Sequence, residues 1–291
     1  MAALVQQQAS IRCRPIGDDD LPAVADLLFR GFPGRAKRYW QEGLDRQRRA
    51  ALPPGRPRYG YLLANGEEPV GALLVLFAAD DRGQVRCNLS SWYVEPAYRA
   101  FAPLLLNVAA KHREVTYLNV SPARHTWATI EAQGFVRYSA GQFVALPLLA
   151  RADEACAVET VGADDAPIEP CPERHLLARH AGFGCLSVVV AAEDGHHPFV
   201  FRRARVRRGR IPLPAAQLLY CRSVAELVRF ARPLGRHLAW RGMPFLILDA
   251  DGSVAGLAGF HVADWRRKYF RGPVPPRLGD LADTELALYG P

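Results

Sequence analysis

SSWYVEPAYRAFAPLLLNVAAKH, residues 90–112, is the stretch on which the fold turns. Ser90–Val94 carries β-forming residues and reads as the end of a strand, while the apolar run after it reads as a helix over 103–112. Lys111, His112 and Arg113 close that helix with positive charge, which suits the negative end of its dipole. Between strand and helix lies the kind of joint that can hold an anion, because the first N–H groups of a helix lack internal partners. Such joints usually use glycine, whose bare backbone can approach a ligand closely. Here the positions read Arg99, Ala100, Phe101, Ala102, Pro103 and Leu104. Pro103 lacks a donor, although in a first turn that donor has no role within the helix.

Upstream, IRCRPI (11–16) alternates as a short strand. DDDLPAVADLLFRGF (18–32) starts with three acids and sets Leu21, Val24, Leu27 and Leu28 on one helical face. AKRYWQEGLDRQRRA (36–50) reads as a second, more polar helix. YGYLLANGEEPVGALLVLF (59–77) is two strands joined at Asn65-Gly66, a strong hairpin signal, and VRCNLSSWYV (85–94) is a further strand. Downstream, VTYLNV (115–120) is a strand, and Ser121 and Pro122 have the N-cap and first-turn chemistry of a helix that Gly134 ends. FVRYSAGQFVALPLL (135–149) reads as two closing strands. This order predicts a mixed α+β domain over residues 1–150, a central sheet flanked by helices with one parallel crossover.

Residues 151–173 hold seven acids and little periodicity, and read as a linker. Residues 174–291 then repeat the later pattern. A hairpin (186–206), a strand (215–221), a helical stretch (223–242) and a strand (244–250) lead to Gly259-Phe260, as the first half leads to Gly134-Phe135. Two diverged copies of one unit are expected.

The 291 residues are 49% hydrophobic, which suffices for buried cores. The net charge of +8 is spread evenly, 18 Lys+Arg against 13 Asp+Glu in residues 1–150 and 19 against 16 in the rest. No basic half or tail argues for nucleic acid as a partner. Six scattered cysteines without C-x-x-C spacing fit reduced thiols and no metal site. The start, MAALVQQQASIRCR, lacks the apolar core of a signal peptide, and the longest apolar runs are too short to span a bilayer. A cytoplasmic protein without a membrane partner is the expectation.

WYVEPAYR (92–99) with its following helix, and YLNVSPARHTWATIEAQGF (117–135), resemble the GNAT acyltransferase superfamily. Val94, Pro96, Arg99, Gly134 and Phe135 match the family's V-x-P-x-x-R and closing Gly-Phe, and the element order matches over residues 11–148. The resemblance implies two tandem GNAT-like domains. It also implies acyl transfer from acetyl-CoA or another acyl-CoA, as co-substrate, to an amine or hydroxyl of a small-molecule or peptide acceptor. The implied cofactor site is Tyr93, Val94, Arg99, Ala100, Phe101, Ala102 and Leu104, with joint N–H groups on the pyrophosphate and an N–H near Val94 on the thioester carbonyl. In the family pattern R/Q-x-x-G-x-G/A, this chain has Ala102 and Leu104 at the glycine positions. Many members carry a tyrosine four residues before the Gly-Phe, where this chain has Ile130. The acid–base candidates are then His125, Glu95 and Tyr138; His125 and Glu95 also have plain readings as surface groups.

In the second copy the joint LLYCRSVAELVRF (218–230) has no glycine. Ser223 and Glu226 fit a capping box, whose carboxylate would repel a pyrophosphate, so this domain is expected to be a structural partner. The run RRARVRRGR (202–210) sets Arg203, Arg205 and Arg207 on one side of a strand. A solvated hairpin is the simplest reading; a CoA phosphate, an acidic substrate or nucleic acid are the others, and no aromatic residue interleaves. The alternative to an enzyme is a GNAT-derived protein that binds an acyl-CoA or a protein without chemistry, which the missing glycines and Ile130 favour.

Overall fold

The computed structural model describes residues 10–79, 83–165, 171–208 and 211–290. Two compact units divide the chain between Tyr117 and Leu118.

In the first unit, β1 (Ile11–Pro15) leads through three acids to α1 (Leu21–Gly31), and α2 (Lys37–Arg49) follows. Val24, Ala25, Leu27 and Leu28 form the buried face of α1, at the spacing the sequence indicates. β2 (Gly60–Asn65) and β3 (Glu68–Ala79) make the Asn65-Gly66 hairpin, with Gly66 at φ +61°. β4 (Val85–Val94) completes an antiparallel run in the order β1-β2-β3-β4. β3 is buried at every position from Val70 to Phe77, so both its faces are covered; α1 and α3 (Ala102–Ala109) lie against it. Gln47 of α2 donates from Nε2 to the carbonyls of Arg58 and Val75, each at 2.6 Å, and so ties the helix to the sheet.

Two features shape the end of β4. Its pairing with β3 passes from Val75↔Leu89 to Leu73↔Trp92, so β4 carries one extra residue, a bulge at Ser90–Ser91. Past Val94 the chain winds into a 3₁₀ helix over Pro96–Phe101 that runs directly into α3. The helix expected over 103–112 therefore begins earlier, in 3₁₀ form, and stops at Ala109. β5 (Thr116–Asn119) carries the division between the units.

In the second unit, α4 (Trp127–Ala132), β6 (Val136–Ala145), β7 (Ala157–Val161), α5 (Arg174–Gly182), β8 (Leu186–Ala192), β9 (Gly195–Arg208) and β10 (Ile211–Cys221) follow in turn. α6 (Val224–Arg229), α7 (Ala231–Trp240), β11 (Phe245–Ala250), β12 (Gly259–Arg271) and α8 (Glu285–Leu288) complete it. The strand order is β12-β6-β11-β10-β9-β8-β7. β10 and β11 are the parallel pair, and their ladder stops after Gln217↔Ile247 although both strands continue, so the two diverge. Leu227, Phe230, Leu234 and Leu238 of α6, α7 and their junction cover one face, over Phe143, Phe201, Leu218 and Leu248. On the other face Leu177 of α5 packs with Val189, Val200 and Leu219, and Trp265 of β12 packs on Val144, Val206, Ala215 and Ile247. Polar groups sit within this buried sheet as well. Asp249 accepts from Lys268 Nζ at 2.7 Å and from Gln142 Nε2 at 3.0 Å, and Arg202 Nε donates to Gln217 at 2.9 Å.

Several expectations change. Residues 136–145 form one strand, β6, which lies antiparallel between β12 and β11. Because both its partners come from residues 245–271, the division of the chain falls before β6 and not at residue 150. The stretch 151–173 contains β7, paired with β8 from Ala157↔Ala191 to Val161↔Ser187; its residues 166–170 lie outside the described ones. Ser121 is not an N-cap: its hydroxyl donates to Glu285, and α4 starts only at Trp127, after a 3₁₀ turn over Arg124–Thr126.

Candidate active site

The first unit converges on the end of β4. Tyr93 projects onto the C-terminal end of α1, where Gly31 has no side chain: a Cβ there would stand 2.3 Å from Tyr93 Cγ. Phe32, just past the helix, packs between Tyr93 at 6.2 Å and Trp40 at 5.3 Å between ring centroids. Val94 is buried opposite Gly71. The Trp92 indole N–H is buried and has no acceptor among the described residues. A buried donor left unpaired costs about 1–3 kcal/mol, so its presence calls for an explanation.

At Glu95 the backbone N–H donates to Val70 O at 2.9 Å, and the carboxylate accepts from Arg30 Nη2 at 2.8 Å. Tyr98 N–H donates to Glu95 O at 2.9 Å, and Ala102 N–H to Arg99 O. Winding the joint as a 3₁₀ helix points its N–H groups back at carbonyls three residues earlier. The cluster of free donors expected at Ala100, Phe101 and Ala102 is therefore used up internally. What faces solvent instead is Arg99, exposed and without an ion pair among the described residues, beside Phe101 and Leu104, 41% and 39% exposed. The joint offers one cation and an apolar shelf rather than a nest of amides.

The other candidates lie in the second unit. His125 is exposed in the turn before α4, and Tyr138 of β6 meets Phe270 edge-on at 6.1 Å. Of the three acid–base candidates Glu95 is the one that belongs to the first unit, at its joint. Ile130 is a core residue of α4. Sequence reading missed Arg30, Gly31, Phe32 and Trp92. The Arg-Gly-Phe at the end of an amphipathic helix was the available signal, but its contact with Tyr93 spans some sixty positions of sequence, beyond any local pattern.

The second unit's joint is closed differently. Ser223, extended at φ −154°, accepts the Glu226 N–H on its Oγ at 3.1 Å, which is half of the expected capping box. The Glu226 carboxylate turns away, standing 3.4 Å from His197 Nδ1. Cys221, just before the joint, is fully buried, and burial pushes its thiol up to about 12, so it is no nucleophile. Among the described residues no three His, Cys, Asp or Glu side chains group as metal ligands, and no helix is long and apolar enough to cross a membrane. All six cysteines are unpaired thiols.

No family model and no curated protein matches the sequence. Solved structures do match the fold. A Pyrococcus horikoshii protein proposed to be an acetyltransferase superposes with a TM-score of 0.56 at 14% identity, over 98% of this chain and 96% of its own. A GCN5-related N-acetyltransferase from Anabaena variabilis gives 0.60 at 11% identity, over 90% and 72%. One from Kribbella flavida gives 0.55 at 14% identity, over 90% and 70%. The fold is that of the GCN5-related N-acetyltransferases, a mixed α+β architecture. At such identities the likeness concerns the fold and leaves the chemistry to the site.

Proposed function

We propose that this chain is an acyltransferase that draws its acyl group from a CoA thioester, with the β4–α3 joint as the donor site. The observation that carries the reading is the end of β4 itself. A bulged strand holds a buried indole donor without an acceptor at Trp92 and opens onto a free cation at Arg99. A phosphate would satisfy the cation. Because the 3₁₀ winding occupies the backbone donors, phosphate binding rests on the Arg99 side chain, and Phe101 and Leu104 supply an apolar wall.

Among the described residues no activated nucleophile stands at the joint, so the acceptor attacks the carbonyl carbon directly. The new C–N or C–O bond forms as the C–S bond breaks, and the proton lost by the acceptor ends on the departing thiolate. Glu95 is the carboxylate in position to relay that proton, held by Arg30. The acceptor is an amine or hydroxyl of a small molecule or peptide. The second unit, whose α6 is capped by its own serine, is a tandem partner without a donor site, and the free thiols fit a cytoplasmic setting.

A second reading is a binding protein without chemistry, favoured by the wound joint and by Ile130 in the core. Thermal unfolding with CoA, acetyl-CoA and longer acyl-CoAs, alongside Arg99→Glu, tests the donor site. A ligand at about 100 times its Kd stabilises the native state by roughly 2.7 kcal/mol. A shift that Arg99→Glu abolishes supports the site; no shift with any donor removes it. Thiol release with a panel of amines then separates the two readings, and Glu95→Gln is expected to slow turnover while leaving the thermal shift intact.

A further inference from the structure

We propose that Arg203, Arg205, Arg207 and Trp240, on the second unit, form a binding surface for single-stranded nucleic acid. β9 and β10 run on together past their neighbours. β8 leaves β9 after Phe201, and β11 leaves β10 at Ala215, so from Arg205 outward the two strands are a free ribbon. The ribbon has two unlike faces. Val206 is buried on one, beneath Trp265, which fixes the ribbon in place. Arg203, Arg205 and Arg207 alternate with it on the other, all three exposed and without an ion pair or hydrogen bond among the described residues. Alternate residues of a strand stand about 7 Å apart. The three guanidiniums, which are charged at any physiological pH and fork onto phosphate oxygens, therefore make a straight file.

The fold adds what the arginine run lacks, an aromatic platform. Arg203 pairs with Ala216, which lies in the core covered by α7, so the arginine file and α7 share one face of the sheet. α7 ends at Trp240, and five residues later β11 begins at Phe245, paired with Ala215 at the point where the ribbon departs. Trp240 is 89% exposed at that same end. A file of cations with an open ring at the same end of the sheet suits a single strand, phosphates on the arginines and an unstacked base on the indole. Other occupants fit less well. Pro212 and Pro214, opposite Arg207 and Arg205, lack N–H donors and blunt the ribbon's edge against strand addition. Val206 and its partner Leu213 face away from the arginines, which leaves, among the described residues of the ribbon, only Pro212 and Pro214 as apolar neighbours on the arginine face, too little to enter a bilayer with them.

The test titrates the full chain with a short oligouridylate and the matching oligodeoxythymidylate, reading tryptophan fluorescence across about 50–200 mM salt. Quenching is expected, with affinity that falls steeply with salt. Arg203→Gln/Arg205→Gln/Arg207→Gln should lower the slope of log K against log salt by about 2, three phosphates at roughly 0.7 each. Trp240→Ala should weaken binding about 5- to 150-fold and remove most of the quenching, as loss of one base stack does. All four side chains are exposed, so unfolding transitions should match wild type and report intact folds. No binding, binding that neither variant changes, preference for duplex, or arginine-dependent binding to phosphatidylserine vesicles without oligonucleotide binding would each overturn the proposal.

Discussion

A methyl group at Gly31 would collide with the ring of Tyr93, so a single hydrogen atom in α1 sets where the β4 end can sit. Gly31→Ala is expected to cost about 1–3 kcal/mol, as overpacking does, and to show as a lower Tm. If Tyr93 borders the donor site, the same variant also weakens the acetyl-CoA thermal shift. Lys268 is the counterpart in the second unit, wholly buried and bonded to Asp249. Burial lowers its pKa and Asp249 works against that, so the ammonium depends on its partner. Lys268→Met should destabilise by about 3–5 kcal/mol, because it leaves a buried carboxylate with Gln142 alone. The double variant Lys268→Met/Asp249→Asn should recover much of that loss in a denaturant titration; an additive loss would mean that the pair is not coupled.

Between elements, Glu173 at the start of α5 takes two hydrogen bonds from Arg222 beyond β10, at 2.7 and 2.8 Å, and one from Tyr220 at 3.3 Å. Burial alone would raise the Glu173 pKa, but the Arg222 bonds outweigh it and hold the group below its ordinary 4.5. A depressed carboxylate stabilises the fold above its unfolded pKa, and that stability is lost as pH falls through the lower folded value. Acid unfolding should therefore begin at higher pH in Arg222→Ala than in wild type. Near neutral pH the same variant should lose about 1.5–3 kcal/mol, the range of hydrogen bonds to charged groups. Identical acid midpoints would remove Glu173 from the account. The β4–α3 joint belongs to this scale as well. Its winding was not legible in Ala100–Pro103, because the choice between an open turn and a 3₁₀ helix depends on where Glu95 and Tyr98 find their bonds.

Over the whole molecule, the placement of β6 decides what can stand alone. A fragment of residues 1–150 would carry β6 without β11 or β12 and expose both its edges. It is expected to aggregate or to unfold without a cooperative transition, whereas the full chain melts cooperatively. A soluble, cooperative fragment would show that β6 has an alternative partner. The periodic signals named most strands and helices correctly, and the repeat of hairpin, strand, helix and strand in the second half was visible. The partner of each strand was not, because a strand's pattern states which face is buried and says nothing of which neighbour supplies the ladder.

By itself the sequence determined the local layer: the apolar face of α1, the Asn65-Gly66 turn, the capping serine of α6 and the exposed file at Arg203, Arg205 and Arg207. These follow from side-chain spacing and turn chemistry, which act within a few residues. Only the tertiary structure decided that β6 lies among strands a hundred residues later. The same holds for the use of the joint's amides by a 3₁₀ helix, for Gly31 and Phe32 supporting Tyr93, and for Trp240 standing at the end where the arginine ribbon leaves. Each depends on contacts between residues distant in sequence, whose closure entropy is met only by the packing of the finished core.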